Sequence, residues 1–568
     1  MDIRLKARIF LFAALCMAHL PLQTKALAQS TVTVTARAGL RGFCKANQWL
    51  PVHITVENKG ADVNARVQAA YKNSAGGQTV SAMDISLPAA SRKEFFLYLM
   101  PETFMREFKI SALDGNKTLA KTNLNVSCSE DENLLLGVVA DTPSNFSMLN
   151  NIRPLAGYAK TVQLDIDDLP DQAQGWDMLD ALIVSNTDTG TLTPQQRQAL
   201  ELWLAGGGKL FVTGGLQWQS TAAGLNGLLP LQPSGVKKAP ALGSLSAYAL
   251  DGENPLEAET ILAAGKLQAG ANVLVEQDGI PVLVEKEIGL GKIYYFAADP
   301  GLAPLDNWEG MEDVYNRLLG FKPPKPTWGY GVQETYHANN ALSTLPELSL
   351  PSLMYICCWL ALYILVVGPA NYFILRRLKR TELAWVTVPI IVVVFTSLAY
   401  AGGYAYRGVN PILNRLMVMQ GWQGVEKARV EALVGVYSPN RNAYQVEARE
   451  GFLVSPFPSI SDNLQSGDSW ATLKNESGVI LSEARVEIGG MKSLAAQGYL
   501  PALSIEHDLK IKLSDNMPLL EGSLTNASGY TWEDAVLITP SGWQTLGDIE
   551  PGGVKNVAST LTNQANAS

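Results

Sequence analysis

Residues 353–406 constrain the chain more than any other stretch. Leu353 to Leu375 carries no charged side chain, and Leu383 to Tyr404 is a second uncharged run of similar length. About 20 apolar residues suffice to cross a bilayer as a helix. In hydrocarbon only a helix or a closed barrel satisfies its own backbone, so two helical spans are predicted. Arg376, Arg377, Lys379 and Arg380 lie between them. Lys and Arg mark the cytoplasmic side, which places this tight turn inside and both flanking bodies outside.

The N-terminus points the same way. Arg4, Lys6 and Arg8 precede the apolar stretch Ile9 to Leu22, and Ala26-Leu27-Ala28 offers small residues for cleavage before Gln29. This is the pattern of a secretory signal over residues 1–28. Leu15 stands where a lipoprotein anchor at Cys16 would need a small residue. A net charge of -9 argues against a nucleic-acid partner, and four scattered histidines give no material for a zinc site. No cofactor is expected. Of five cysteines, Cys16 leaves with the signal and Cys357-Cys358 lie in the first span. Cys44 and Cys128 remain as the outside pair, and an oxidising compartment favours a bridge between them.

A chain of 568 residues implies several domains. From 29 to 130 the hydrophobic pattern has period two. Leu50, Val52, Ile54 and Val56 alternate with Pro51, His53, Thr55 and Glu57, which turns His53 to the outer face. Asp114-Gly115 reads as a hairpin turn, and Leu124, Val126 and Cys128 share a face. An immunoglobulin-like β-sandwich is predicted.

Over 131–322 the character changes. Leu134 to Ala140, Asp180 to Ser185 and Leu210 to Thr213 are apolar strands. Thr193, Pro194 and Gln196 open a helix with a capping box, and Gly206-Gly207-Gly208 closes it. A late strand at Lys292 to Ala298 and a helix from about Trp308 to Leu319 follow. Alternating strand and helix predict an α/β domain with a mostly parallel sheet. Pro323, Pro324 and Pro326 introduce a stiff linker, 323–350, before the hairpin of 351–406.

Period two returns over 407–568, which predicts one or two further β domains. Leu433 to Tyr437 and Tyr444 to Val446 read as a hairpin around Ser438-Pro439-Asn440. An internal echo recurs at Asn58-Lys59-Gly60, Asn475-Glu476-Ser477-Gly478 and Asn526-Ala527-Ser528-Gly529. Each ends a strand in a turn whose Asn and Gly tolerate left-handed backbone.

The α/β segment resembles the class I glutamine amidotransferase-like fold, a flavodoxin-like architecture, in the form found in bacterial envelope proteins of unknown function. The residues that carry the resemblance are Trp176 to Val184, Leu192-Thr193-Pro194 with Trp203 to Gly208, Gly289 to Lys292, Ala298-Asp299-Pro300 and Asn307 to Gly310. Val367 to Tyr372 is similar to the membrane part of the same group. The resemblance implies a nucleophilic cysteine on a strand-to-helix turn and a His with a Glu after a late strand. The turn here falls near Thr213-Gly214-Gly215-Leu216, with no cysteine between Cys128 and Cys357, and the late strand runs into Asp299-Pro300-Gly301. Thioester chemistry needs a thiolate and a base, so the fold carries over and the activity does not.

Weaker signals have plainer readings. Gly206 to Leu210 is similar to part of a phosphate loop but follows a helix instead of preceding one. Asp165, Asp167, Asp168 and Asp171 lack calcium-loop spacing and read as a solvated acidic turn. His507-Asp508 lacks the Gly-x-Ser-x-Gly turn of a triad. Asn371 in the first span could bond to Thr387 or Thr396 of the second, or to another protein.

Taken together, the residues predict a two-pass protein of the bacterial cytoplasmic membrane that binds or scaffolds another envelope or membrane protein and is not an enzyme. Asp141, Asp299, Asp306 and Trp308, at the ends of the α/β strands, form the candidate binding surface. The alternatives are an accessory subunit of an envelope transporter, or a hydrolase using a non-cysteine nucleophile.

Overall fold

The computed structural model describes residues 31–568 except 74–75, 102–106, 131, 250–254, 323–334, 345–351, 408–409, 458–469, 476–477, 515–516, 540–541 and 561–568. The signal segment of residues 1–28 therefore lies outside the described residues. The protein is multidomain and mostly β-sheet, with two apolar helices.

The N-terminal domain packs two sheets against each other. One contains β1 (Val32–Ala38), β3 (Leu50–Asn58) and β6 (Ser91–Leu99), in the order β1-β3-β6, while β2 (Phe43–Lys45) lies beside this sheet. The other contains β4 (Val63–Lys72), β5 (Gln78–Leu87), β7 (Glu107–Asp114) and β8 (Lys117–Asn125). Val52, Ile54, Val56, Val67, Ala69, Phe108 and Ile110 interleave between the sheets and are essentially inaccessible. The Asp114-Gly115 turn joins β7 to β8 with Gly115 at φ 55°. β9 (Ser127–Ser129) runs parallel to β2, bringing Cys44 opposite Cys128 in the ladder, and the two form a disulfide.

His53 does point away from this core, yet it is buried. Its ring stacks on Phe96 at 4.8 Å, and Arg37 donates to its Nδ1 at 3.0 Å. Trp49, Phe96, Tyr98 and Leu453 form a second apolar cluster on that outer face. The alternation was therefore correct, but other parts of the chain cover the face it left outside.

The α/β domain is built on β10 (Leu134–Ala140), β11 (Ala159–Gln163), β12 (Ala181–Ser185) and β13 (Lys209–Thr213). These are followed by a β14–β15 ribbon (Leu231–Ala239, Thr260–Leu267), then β16 (Ala271–Gln277), β17 (Ile280–Ile288) and β18 (Gly291–Phe296). The main sheet has the order β11-β10-β12-β13-β18-β17-β16. Its first five strands are parallel and its last two antiparallel. Counting the parallel strands alone, the order is 2-1-3-4-5, which reverses between β10 and β12.

The helix Pro194–Ala205 has the expected capping box between Thr193 and Gln196. Gly208 is where the indole of Trp203 lies, since a Cβ there would stand 2.3 Å from the ring. Lys209 then donates from Nζ to the carbonyls of Leu318 at 3.0 Å and Phe321 at 2.6 Å. It caps the helix Gly310–Leu319, whose last carbonyls and dipole favour a cation. Burial pushes the Lys209 ammonium down to about 8. The glycine-lysine run thus ends one helix and caps another.

Helices at Leu353–Arg377 and Thr381–Gly403 are long and apolar enough to cross a membrane. Trp359 and Tyr363 pack on Phe395, at 5.2 and 5.4 Å between ring centroids, which pairs the helices as a hairpin. Ser352 caps the first helix, and a π-helical turn at Val366–Ala370 accommodates Pro369. Asn371 is buried, but no hydrogen bond joins it to Thr387 or Thr396, and the Thr387 hydroxyl also lacks a partner.

Part of the linker prediction falls outside the described residues. The described remainder differs from an extended spacer: Thr335–Ser343 is a helix whose Leu342 packs on Leu433 and Phe457.

Beyond the hairpin come β19 (Ile412–Gln420), β20 (Lys427–Ser438), β21 (Asn442–Arg449), β22 (Leu453–Pro456), β23 (Trp470–Asn475), β24 (Gly478–Val486) and β25 (Gly490–Pro501). The predicted hairpin around Ser438-Pro439-Asn440 does not form. β20 pairs with β19 and β25, whereas β21 pairs with β24 in another sheet. Pro439 interrupts the ladder, and the Ser438 hydroxyl meets the Asn440 carbonyl and Tyr444 hydroxyl at the crossing.

β23 pairs in parallel with β5, from Trp470 opposite Thr79 to Lys474 opposite Met83. The result is one seven-stranded sheet, β21-β24-β23-β5-β4-β7-β8, made of strands that precede and follow the apolar hairpin in sequence. The last module contains β26 (Ile505–Ser514), β27 (Met517–Asn526) and β30 (Val554–Thr560) in one sheet, with β28 (Trp532–Thr539) and β29 (Gly542–Ile549) in another.

The Asn echo has a structural cause different from the one expected. Asn58 Nδ2 donates to the carbonyls of Ala61 and Leu87 at 2.7 and 3.1 Å, while its Oδ1 accepts from Gly60 N at 2.9 Å. Asn526 repeats this with the Tyr530 and Ile549 carbonyls at 2.7 and 2.8 Å and the Ser528 N–H at 3.0 Å. Neither has positive φ. The side-chain amide, rather than left-handed backbone, selects Asn here.

Candidate functional site

Asp299 follows β18 at the carboxyl end of the parallel sheet and is buried. Asn186, just after β12, donates from Nδ2 to its Oδ2 at 2.7 Å, and Gly301 N donates to its Oδ1 at 2.8 Å. β13 lies between those two strands and ends in Thr213-Gly214-Gly215. A Cβ on Gly214 would stand 2.4 Å from the Ala297 carbonyl oxygen. One on Gly215, at φ +84°, would stand 2.9 Å from the Asp299 Cβ. The two glycines thus allow the carboxylate to lie over the end of β13 and reach Asn186.

Asn186 has φ 47°, a conformation that Asn adopts more readily than other residues with a Cβ. Its Oδ1 is buried without a partner, as is the hydroxyl of Tyr295. Below them Thr213 donates to the Ser185 hydroxyl at 2.6 Å. Asn145, from the turn after β10, donates to the Gly301 carbonyl at 3.2 Å. Burial pushes the Tyr295 phenol up, so it stays protonated.

The four sequence-derived surface residues separate into two groups. Asp141 and Asp306 are exposed on strand-end loops. Asp299 is close by but shielded, with both carboxylate oxygens engaged. Trp308 is not a surface residue: its side chain is 6% exposed, packed where Gly310 leaves room for the ring. Burying so large an apolar side chain outweighs displaying it. Asn186 and Asn145 carry no signal recognisable in sequence, because their roles depend on strand order. From Leu134 to Leu319 the chain contains neither histidine nor cysteine. The arrangement is suited to hydrogen bonding and not to cysteine-based acyl transfer.

A second constellation lies on residues 165–177: Asp165 and Asp167 are exposed, as a solvated acidic turn would have them, but Asp168 is not. Asp168 is 4% exposed, bonded to Arg41 at 2.6 Å and paired with Arg37 at 3.1 Å. Asp165 pairs with Arg41, and Asp171 accepts from the Tyr98 hydroxyl. Asp177 pairs with Arg429 at 2.9 Å, and Arg429 also reaches Glu431 at 3.2 Å. Gln174 donates to the carbonyls of Gly451 and Gln497, both at 3.0 Å. Trp49 donates to the Gln497 side chain at 2.7 Å. The N-terminal sandwich, the α/β domain and the sheets that follow the apolar hairpin meet on this segment. Lys45, completely buried, adds a further tie to Asp180, which Lys322 also approaches at 3.3 Å.

The strands of the first sandwich fall within the reach of a family profile described as Domain of unknown function (DUF8726), which matches residues 31–127. Residues 152–300, most of the α/β domain, match one described as Domain of unknown function (DUF7408). No curated protein matches the chain. Among solved structures, the cytoplasmic protein STM1381 from Salmonella typhimurium LT2 is similar at 16% identity and a TM-score of 0.28, over 33% of this chain and 98% of that one. An exo-beta-1,4-mannosidase from an Opitutaceae bacterium is similar at 15% identity and a TM-score of 0.23, over 33% of this chain and 35% of that one. The beta-galactosidase from Bacillus circulans shares 10% identity at a TM-score of 0.21, over 64% of this chain and 41% of that one. The chain is therefore similar to one domain family of unknown function in its sandwich and to another in its α/β domain.

Proposed function

We propose that this is a two-pass protein of the bacterial cytoplasmic membrane whose extracytoplasmic domains bind and scaffold another envelope or membrane protein. In this reading a signal segment directs the first domain outward, and the basic turn at Arg376 to Arg380 stays in the cytoplasm. The first domain is immunoglobulin-like, and the α/β domain is amidotransferase-like without the glutaminase reaction.

One observation carries the binding role. The acidic group best placed for chemistry, Asp299, has both oxygens occupied by Asn186 and Gly301, so it shapes a loop. Exposed near these strand ends is Asp141 with neighbouring backbone, a surface suited to a partner loop. Clamping of three modules on residues 165–177 supports a scaffold, because a rigid body holds such a surface at a set position relative to the hairpin.

The test is site-specific photo-crosslinking in native membranes. A crosslinker at Asp141 or Asp306 is expected to yield one discrete adduct with another envelope protein, absent when the probe is at Lys237 on the far ribbon. Adducts independent of probe position would sink the proposal. So would glutamine hydrolysis by the purified protein that disappears in Asp299→Asn.

A further inference from the structure

The last module leaves a strand edge open. Among the described residues β26 pairs with β27 alone, so its other edge is free in the sheet β26-β27-β30. Along β26 the side chains alternate. Ile505, His507, Leu509, Ile511 and Leu513 occupy one face, with Glu506, Asp508, Lys510 and Lys512 on the other. Across the ladder His507, Leu509 and Ile511 lie opposite Leu524, Gly522 and Leu520 of β27. Ile505 is 53%, Ile511 67% and Leu513 80% exposed. The β28–β29 ribbon does not cover them. A long apolar edge strand is a template for pairing with another strand.

The order of charges names the strand that fits. If β26 is laid antiparallel to a second β26 about a two-fold axis through Leu509, Glu506 faces Lys512 and Asp508 faces Lys510. Each contact occurs twice. On the other face Ile505 meets Leu513, His507 meets Ile511, and Leu509 meets its own copy. Opposite charges and apolar pairs directly across a ladder both stabilise antiparallel strands. Moving the axis to His507 or Ile511 would juxtapose like charges or leave the apolar ends unpaired. The strand is therefore self-complementary in a single register, as an isologous interface requires.

We infer that β26 is a homodimer interface: two copies of this chain join through antiparallel β26 strands centred on Leu509, extending the three-stranded sheet to six. Within one chain Asp508 pairs with Lys510 at 2.9 Å and Lys512 with Glu521 at 3.1 Å. Both pairs are exposed, so exchange for contacts across the dimer is inexpensive in water. This inference does not depend on the strand-end site of the α/β domain.

The register makes the experiment specific. In the full-length protein with Cys357 and Cys358 replaced by Ala, Leu509→Cys is expected to form a covalent dimer on mild oxidation in native membranes. Ile505→Cys alone is expected not to, because its copy lies about eight strand positions away, near 26 Å. The double variant Ile505→Cys with Leu513→Cys restores the crosslink. Charge provides a second arm that needs no folding assumption at Leu509. A chain with Glu506→Lys and Asp508→Lys, and another with Lys510→Glu and Lys512→Glu, should each lose the dimer alone and recover it when co-expressed. Equal crosslinking at Leu509 and Ile505, none at either, or no recovery on co-expression would each overturn the interface.

Discussion

At the residue scale, His53 shows how neighbouring parts of the chain bury an outward-facing side chain. It sits at the seam between sandwich and α/β domain. Burial and the neighbouring Arg37 charge lower its pKa, while Glu94, Asp168 and Asp167 act in the opposite direction. The folded protein therefore holds His53 neutral at pH values where the unfolded chain already takes up a proton. Its contribution is fully present above the ordinary value of 6.5 and is lost as pH falls through and below it. Protonation would also remove the acceptor for Arg37, which pairs with Asp168 across the seam. The melting temperature of the wild-type protein should drop more steeply from about pH 7 to about pH 5 than that of His53→Gln. Parallel slopes would show that the ring does not report on the seam.

At the element scale, strands end where side chains can replace lost backbone partners. Asn58 is 1% exposed and joins the end of β3 to the chain following β5 through one amide. Asn58→Ala would leave the buried Leu87 carbonyl and the part-buried Ala61 carbonyl without this donor, and a buried unpaired group costs about 1–3 kcal/mol. Asn58→Asp should be worse, because a carboxylate accepts where the amide donated. Equilibrium denaturation of the full chain would show both, and an unchanged midpoint for Asn58→Ala would refute the assigned role. Asn526→Ala should instead loosen only the last module, visible as local amide exchange in β27 and β30. The disulfide acts at the same scale. It links residues 84 apart, so Cys128→Ser should lower stability by about 4 kcal/mol if chain entropy sets its effect. A melting temperature unmoved by the substitution would deny it that role.

Across the whole molecule, the apolar helical hairpin is an insertion into a body whose sheet joins strands from before and after it. β23 completes a sheet begun by β5, and Arg429 reaches back to Asp177. A protease site introduced between residues 323 and 334 should therefore leave two fragments that co-purify after cutting. Arg429→Ala would leave the part-buried Asp177 without its cation and weaken the join. It should speed separation of the cut halves. Independent elution of the fragments without any mutation would contradict a shared sheet. Orientation is tested separately: Thr381→Cys should resist a membrane-impermeant thiol reagent in intact cells, while Glu533→Cys should label once any outer barrier is opened.

Much of the architecture was legible because local physics decided it. Hydrocarbon admits only self-satisfied backbone, so two long apolar helices, at Leu353–Arg377 and Thr381–Gly403, followed from composition. Period-two strands, the Thr193 capping box and the Cys44–Cys128 pair also followed from neighbouring residues or from the lack of competitors. What escaped sequence reading was every contact set by strand order. Asp168 looked solvated because nothing nearby in the chain opposes it, yet Arg37 and Arg41 arrive from more than 120 positions away. Tyr444 looked like the return strand of a hairpin, although Pro439 sends it to another sheet. Trp308 looked available because an aromatic on a loop carries no mark of its burial. Asp299 drew attention at the correct end of the sheet, but its partner Asn186 was chosen by the position of β12 beside β13. Hydrophobic period and backbone satisfaction act over a few residues and are written locally. Which charged or apolar face meets which is settled only when distant strands are laid side by side.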